Sequence, residues 1–303
     1  MGAITSVLDR PPASRVRLHA DSKLDQRNDG DSVLNLKGRH AAFYGDLFAE
    51  QHPDLLAKSN TGFRESKHGP GRYAFFHDLT ADDTAEIEAF LDAYQKLVIV
   101  GRNRNLDGVF GNELSSCVAF DYTFERQHES QPWTKTLIWQ LVYDAKYRHC
   151  IGNAATIARF LKNALLRAYE HLMIGPVVVT YPPAEGDPSE KLPHMVSTVM
   201  FEELAQRSLS GCTLRHARAF LSRGKPRIKE LQLADKAEAW REALASGRVS
   251  LSANPEGALV FVVDDLYESG VTLRCFAEYL RARGAREVRG LVCAKALRDT
   301  DNL

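Results

Sequence analysis

With 303 residues, 44% of them apolar and 26% charged, the chain can bury a sizeable core as one large domain or two smaller ones. Lys plus Arg and Asp plus Glu both number 39, so the formal net charge is zero and composition gives no electrostatic case for a nucleic-acid or membrane-surface partner. The five cysteines are widely spaced with no Cys-x-x-Cys pair, which implies neither a disulfide framework nor a zinc ribbon and points to the cytoplasm; no apolar run reaches the length of a membrane span.

Residues 1–37 hold Arg10-Pro11-Pro12, scattered charges and Asn28-Asp29-Gly30-Asp31 without a lasting apolar period, and are expected to form a disordered arm. Residues 38–147 read as a mixed α/β region of unassigned role. Phe43, Leu47 and Phe48 suggest a short helix. Thr80 and Asp83 have the spacing of a helix cap before a segment carrying Ile87, Phe90, Leu91 and Tyr94 on one face. Leu97–Val100 and Val118–Phe120 read as strands, and Trp133, Leu137, Ile138, Leu141 and Val142 as a further helix. The ten histidines are scattered, with no His-x-x-x-His pair beside a carboxylate, and read as satisfied or exposed rather than as metal ligands.

Residues 148–303 form the third division. A long amphipathic helix carries Ile157, Phe160, Leu161, Ala164, Leu165 and Ala168 on one face. Pro176–Thr180 reads as a buried strand, ending at Tyr181-Pro182-Pro183 and a polar loop that reaches Lys191. A helix with Val196, Val199, Met200 and Leu204 follows, then a basic segment from Arg215 to Lys229, then a helix over about 234–245. The run Leu259–Val263 is too apolar for one exposed face and reads as a strand buried on both sides. Leu273, Phe276, Ala277 and Leu280 recur at helical spacing after it, and Val288–Ala294 supplies another apolar strand. This alternation predicts a parallel sheet with right-handed crossovers.

The chemistry concentrates at the carboxyl end of Leu259–Val263, the end at which open α/β sheets bind ligands. Backbone N–H groups around Ser269 to Thr272 and the positive end of the following helix suit a phosphate. Gly270 removes a side chain that would hold the phosphate away, and the hydroxyls of Ser269 and Thr272 add donors. Asp264 and Asp265 suit sugar hydroxyls, or a Mg²⁺ that bridges to a diphosphate. The stretch therefore asks for a phosphorylated ribose.

An apolar strand, two acidic residues, three variable residues and then Ser/Thr-Gly-x-Ser/Thr resembles the signature of type I phosphoribosyltransferases, and each constrained position matches here. More loosely, the run from Lys146-Tyr147-Arg148 to Lys295 resembles the ComF-like branch of that superfamily, without its four-cysteine zinc module and with Lys191-Leu192-Pro193-His194 where the branch has Arg-Gly-Phe-Asn. The resemblance implies an α/β fold with a Rossmann-like parallel sheet in the C-terminal half, preceded by the mixed α/β region. It implies an Mg²⁺-dependent enzyme that displaces diphosphate from phosphoribosyl diphosphate (PRPP) with a small-molecule nitrogen nucleophile. Asp264 and Asp265 would fix the ribose hydroxyls, directly or through Mg²⁺, and the loop of Tyr267, Glu268, Ser269, Gly270, Val271 and Thr272 would bind the 5′-phosphate. Glu268 would be the general base. Tyr181, Pro182 and Lys191 are candidates for the diphosphate loop, and Arg223, Lys225, Arg227 and Lys229 for a closing loop. A non-enzymatic module that senses PRPP or a nucleotide, or attends a nucleic acid, is the alternative. The oligomeric state, a homodimer included, stays open.

Overall fold

Strand and helix alternate through the C-terminal half of the computed structural model of the chain, which describes residues 6–9, 15–27, 30–100, 110–125, 130–185, 189, 191–207, 209–222 and 231–297. Two compact units divide it, Met1–Gly101 and Arg102–Leu303, where the sequence reading set boundaries after residues 37 and 147.

The first unit corrects the expectation of a disordered arm. Strand Ser32–Lys37 pairs antiparallel with Lys23–Gln26 on one side and with Gly71–Phe76 on the other. Val33, Leu34 and Leu36 are buried there, an apolar content sufficient to hold the segment down. Arg64–Glu65 adds a short edge strand. Helix Ala41–Gln51 contributes Tyr44, Leu47 and Phe48 to the core, and helix Ala81–Lys96 contributes Ile87, Phe90 and Tyr94. Phe48 meets Phe90 edge-on, with ring centroids 5.0 Å apart. The second helix starts as its sequence predicts: the Thr80 hydroxyl accepts from the Asp83 N–H, and the Asp83 carboxylate accepts from the Thr80 N–H.

In the second unit the principal strands are β1 (Ser116–Tyr122), β2 (Gly175–Thr180), β3 (Cys212–His216), β4 (Leu259–Tyr267) and β5 (Glu287–Lys295). They lie side by side in the order β1-β5-β4-β2-β3, and every pairing is parallel. The helices are α1 (Leu137–Tyr147), α2 (Asn153–Tyr169), α3 (Leu192–Ala205), α4 (Leu233–Ala245) and α5 (Val271–Ala282). Helices α1, α2 and α3 pack in sequence on one another, and α4 packs on α5. The unit is thus the parallel α/β fold that the alternation predicted. Trp133 stands outside α1 and is exposed; Thr136 is the N-cap instead, its hydroxyl accepting from the Trp139 N–H. Before β4, strand Val249–Leu251 joins Ala219–Leu221 and Ala184–Glu185 in a small separate sheet.

Strand β4 is the centre of this unit. Leu259 through Val263 are all fully buried, as expected of a strand covered on both faces, and each such side chain contributes about 1.5–3 kcal/mol relative to exposure. Cys117, Cys275 and Cys293 are also buried, whereas Cys150 is exposed, and all five cysteines are free thiols. Burial pushes Cys275 up to about 12 and holds Cys117 and Cys293 well above the usual thiol range.

Candidate functional site

The acidic pair sits inside β4 rather than after it. The ladder with β5 continues past Val263 through Asp264↔Val292 and Leu266↔Ala294 to Tyr267↔Lys295, so both aspartates are held by a paired strand. Alternation along the strand sends their side chains to opposite faces of the sheet. Asp264 Oδ1 accepts the Asp265 backbone N–H at 2.8 Å. Asp265 is 7% exposed and meets the Lys146 ammonium, with Nζ 2.5 Å from Oδ2. Burial penalises the charge on Lys146, but the pairing with Asp265, helped by Asp264, wins and holds its pKa above the ordinary lysine value.

Lys146 is the site residue that sequence reasoning missed. It occupies the last turn of α1, far from Asp265 in the chain. The Lys-Tyr-Arg motif was visible in the sequence, but spacing alone gave no reason to face that lysine toward the acidic pair.

Beyond β4 the chain turns at Gly270, whose φ of +81° lies in the left-handed region. A Cβ at this position would come within 2.2 Å of the Tyr267 hydroxyl, because the Tyr267 ring folds beneath the loop. Tyr267 and Val271 are both buried, so any contribution they make to a ligand at this loop comes from the backbone. Glu268 is exposed, and Ser269 and Thr272 are half-buried. No side chain caps the N-terminus of α5, so its first-turn N–H groups have no intrahelical or capping partner. Lys295, at the end of β5 and 1% exposed, supports the loop from below. Its Nζ donates to the Glu268 carbonyl at 3.4 Å and to the Ala296 carbonyl at 3.1 Å, and lies 5.4 Å from the centroid of the Tyr267 ring.

The diphosphate-loop candidates lie at the end of β2 and the start of α3. Tyr181 is fully buried and packs edge-on against His194 at 5.1 Å, with His216 at 6.3 Å. Pro182 is half-buried, and Lys191 is exposed at the N-cap of α3. His216 Nε2 lies 3.1 Å from the Ser197 hydroxyl and its ring stacks on Phe201. Burial, helped by His194 and Arg218, lowers the His216 pKa to about 4, so the ring is neutral near pH 7. Two histidines, His194 and His216, thus cluster around Tyr181 where the sequence reading saw only scattered rings. Arg223, Lys225, Arg227 and Lys229 lie outside the described residues. Among the described residues no group of three or more His, Cys, Asp or Glu side chains could hold a metal ion by itself.

The family model of the Phosphoribosyl transferase domain matches residues 193–302, about a third of the chain, from the first turn of α3 to beyond β5. The match contains the acidic pair and the loop after it, and bears out the expectation of an enzyme of the phosphoribosyltransferase class. No curated protein matches the chain. Among solved structures, a hypoxanthine phosphoribosyltransferase from Staphylococcus aureus is 14% identical, covering 48% of this chain and 74% of that one with a TM-score of 0.28. A hypoxanthine phosphoribosyl transferase from Trypanosoma cruzi is 13% identical over 49% of this chain and 66% of its own, with a TM-score of 0.29. A hypoxanthine-guanine-xanthine phosphoribosyltransferase is 15% identical over 50% and 68%, also with a TM-score of 0.29. No assignment rests on overlaps of that size.

Proposed function

We propose that the second unit is an Mg²⁺-dependent phosphoribosyltransferase of the ComF-like branch, which transfers the phosphoribosyl group of PRPP to a nitrogen acceptor such as a nucleobase. The observation that carries this reading is a juxtaposition. Asp264 and Asp265 lie near the carboxyl end of a central parallel strand, and an uncapped helix N-terminus follows that strand across a left-handed glycine. Carboxylates beside uncapped N–H donors match a sugar phosphate, with hydroxyls toward the acids and phosphate toward the amides. Lys146, from the Lys-Tyr-Arg motif that suggested the branch, reaches Asp265 and supports extending the resemblance to that segment.

In the reaction the acceptor nitrogen forms a bond to ribose C1 as the bond from C1 to the diphosphate oxygen breaks. Diphosphate leaves with the electron pair, and the acceptor loses a proton. Asp264 and Asp265 orient the ribose hydroxyls and stabilise the positive charge that develops on the ring. Lys146 fixes the Asp265 carboxylate in place. The N–H groups and hydroxyls of Ser269 to Thr272 hold the 5′-phosphate. Glu268, exposed at the mouth of the loop, takes the proton from the acceptor, a role worth about 10²- to 10⁴-fold. Mg²⁺ fits this donor set, because it takes few protein carboxylates and completes its shell with water and phosphate oxygens. Asp264 and Asp265 would hold it indirectly, through the ribose of the ligand, and it would neutralise charge on the diphosphate. Five free cysteines accord with a reducing compartment such as the cytoplasm.

Calorimetric titration of PRPP in the presence of Mg²⁺, repeated with Asp264→Asn/Asp265→Asn, tests the assignment. Binding that needs both carboxylates is the expected result. A well-folded wild-type protein that does not bind PRPP sinks it, and binding with no diphosphate release on any nucleobase would make the unit a PRPP sensor instead.

A further inference from the structure

One buried cation beside the loop takes no part in the scheme above. Arg274 lies in the first turns of α5, its backbone N–H donating to the Gly270 carbonyl at 2.9 Å, and it is 5% exposed. Among the described residues its Nε is sealed from water without a hydrogen-bond partner, and its guanidinium enters no ion pair. Of the carboxylates around it two are engaged elsewhere, and the third, Asp264, forms no hydrogen bond or ion pair with it among the described residues. Glu278, one turn along the same helix, takes two hydrogen bonds from Arg241, at 2.8 and 2.7 Å. Asp265 is bound to Lys146. The other buried cation under the loop, Lys295, rests on main-chain carbonyls. The Cys117 thiol senses Arg274, Asp264 and Lys295 together, so these three charges share one low-dielectric region beneath the signature loop.

An unpaired buried cation is costly to a folded chain, and a helical side chain leans back toward the N-terminus of its helix, which here is the phosphate loop. We propose that Arg274 is a positioning residue whose charge is compensated by the phosphate monoester dianion held at Ser269 to Thr272, so that it sets the affinity of the loop for the phosphate end of the substrate. The assignment rests on the reading of that loop as a phosphate site. It adds a charge from within the fold to what the N–H groups and hydroxyls supply, and it makes the empty protein the less stable partner in the exchange.

The test uses ribose 5-phosphate as the probe, with calorimetry and thermal melts on wild type, Arg274→Met and Arg274→Lys. Arg274→Met is expected to melt at or above the wild-type temperature without ligand and to bind ribose 5-phosphate at least tenfold more weakly. Arg274→Lys, which keeps the charge, is expected to hold affinity within about threefold. A purely structural arginine gives the opposite pattern: a lower melting temperature for Arg274→Met with ribose 5-phosphate affinity unchanged, which overturns the inference while leaving the phosphate loop standing. If Arg274→Met does not fold, Arg274→Lys decides alone, and a tenfold loss there overturns a role for charge. Wild-type protein that fails to bind ribose 5-phosphate overturns both the loop reading and this inference.

Discussion

Replacing Lys146 by Met isolates the pairing that the sequence did not reveal. Asp265 is 7% exposed, and the Lys146 side chain keeps 32% of its surface in water. Breaking a fully buried ion pair by removing one partner costs about 3–5 kcal/mol, because the other charge is stranded. A fully exposed pair contributes about 0.2–1 kcal/mol. This pair has one buried and one partly wet member, so Lys146→Met is expected to destabilise the second unit by about 2–3 kcal/mol. At about 2–4 °C per kcal/mol for a unit of this size, the melting temperature falls by about 5–10 °C. Asp265→Asn removes the stranded charge, so Lys146→Met/Asp265→Asn should recover most of the loss. Urea denaturation of the four proteins measures the coupling, expected at about 1.5–2.5 kcal/mol. Because the pair is shielded, that coupling should change little between about 0.05 and 0.5 M salt. A coupling below about 0.5 kcal/mol, or one that salt abolishes, would refute the view that Lys146 holds Asp265 in place. The raised pKa of Lys146 adds no pH dependence near neutrality: a lysine raised by its partner stabilises fully below about 10.5 and loses that contribution only as pH climbs through its higher folded value.

Other perturbations read separate parts of the site. Gly270→Ala combines a left-handed φ with a Cβ 2.2 Å from the Tyr267 hydroxyl, and should lower stability by about 2–4 kcal/mol and abolish ribose 5-phosphate binding. Gly257→Ala, at φ +67° with nothing within 4 Å, is its control and should show strain alone, about 1 kcal/mol by thermal melt. His216 is neutral when folded and regains its ordinary pKa on unfolding, so its contribution is complete above about pH 6.5 and disappears as pH falls toward 4. The wild type should lose about 2–3 kcal/mol across that interval relative to His216→Leu; parallel urea curves for the two proteins would remove His216 from the account. Glu268→Gln should slow diphosphate release by about 10²-fold or more while PRPP affinity stays within about twofold, and an unchanged rate would return Glu268 to the role of a solvent-facing carboxylate.

Local pattern carried much of the fold. The apolar runs Leu259–Val263, Pro176–Thr180 and Val288–Ala294 all lie in parallel strands of one sheet, because a strand buried on both faces leaves a continuous apolar record. The Thr80–Asp83 cap was legible for a similar reason, since both partners lie within one turn. Ser32–Lys37 was misread although Val33, Leu34 and Leu36 were in plain view: the Gly- and Asp-rich turn before it masked a short run, and its partner Gly71–Phe76 is distant in the chain. The site divides in the same way. Asp264, Asp265 and Gly270 announce themselves by spacing within one strand and turn. Lys146, Arg274 and Lys295 acquire meaning only when the sheet brings separate segments together, and Tyr267 changes from ligand candidate to packing residue because its ring turns under Gly270.

The unequal burial of the cysteines turns this chain into its own optical instrument. Cys117, Cys275 and Cys293 are shut away with thiols that resist ionisation, and Cys212 is half-covered with its thiol shifted in the same direction. Cys150 stands in water four residues after Lys146, its N–H donating to the Asp144 carbonyl at 3.1 Å. A maleimide fluorophore therefore attaches first to a segment tied to the end of α1, without any residue being replaced. Changes in its emission during a PRPP or ribose 5-phosphate titration would report, in real time, whether the helix that carries Lys146 moves as ligand is added.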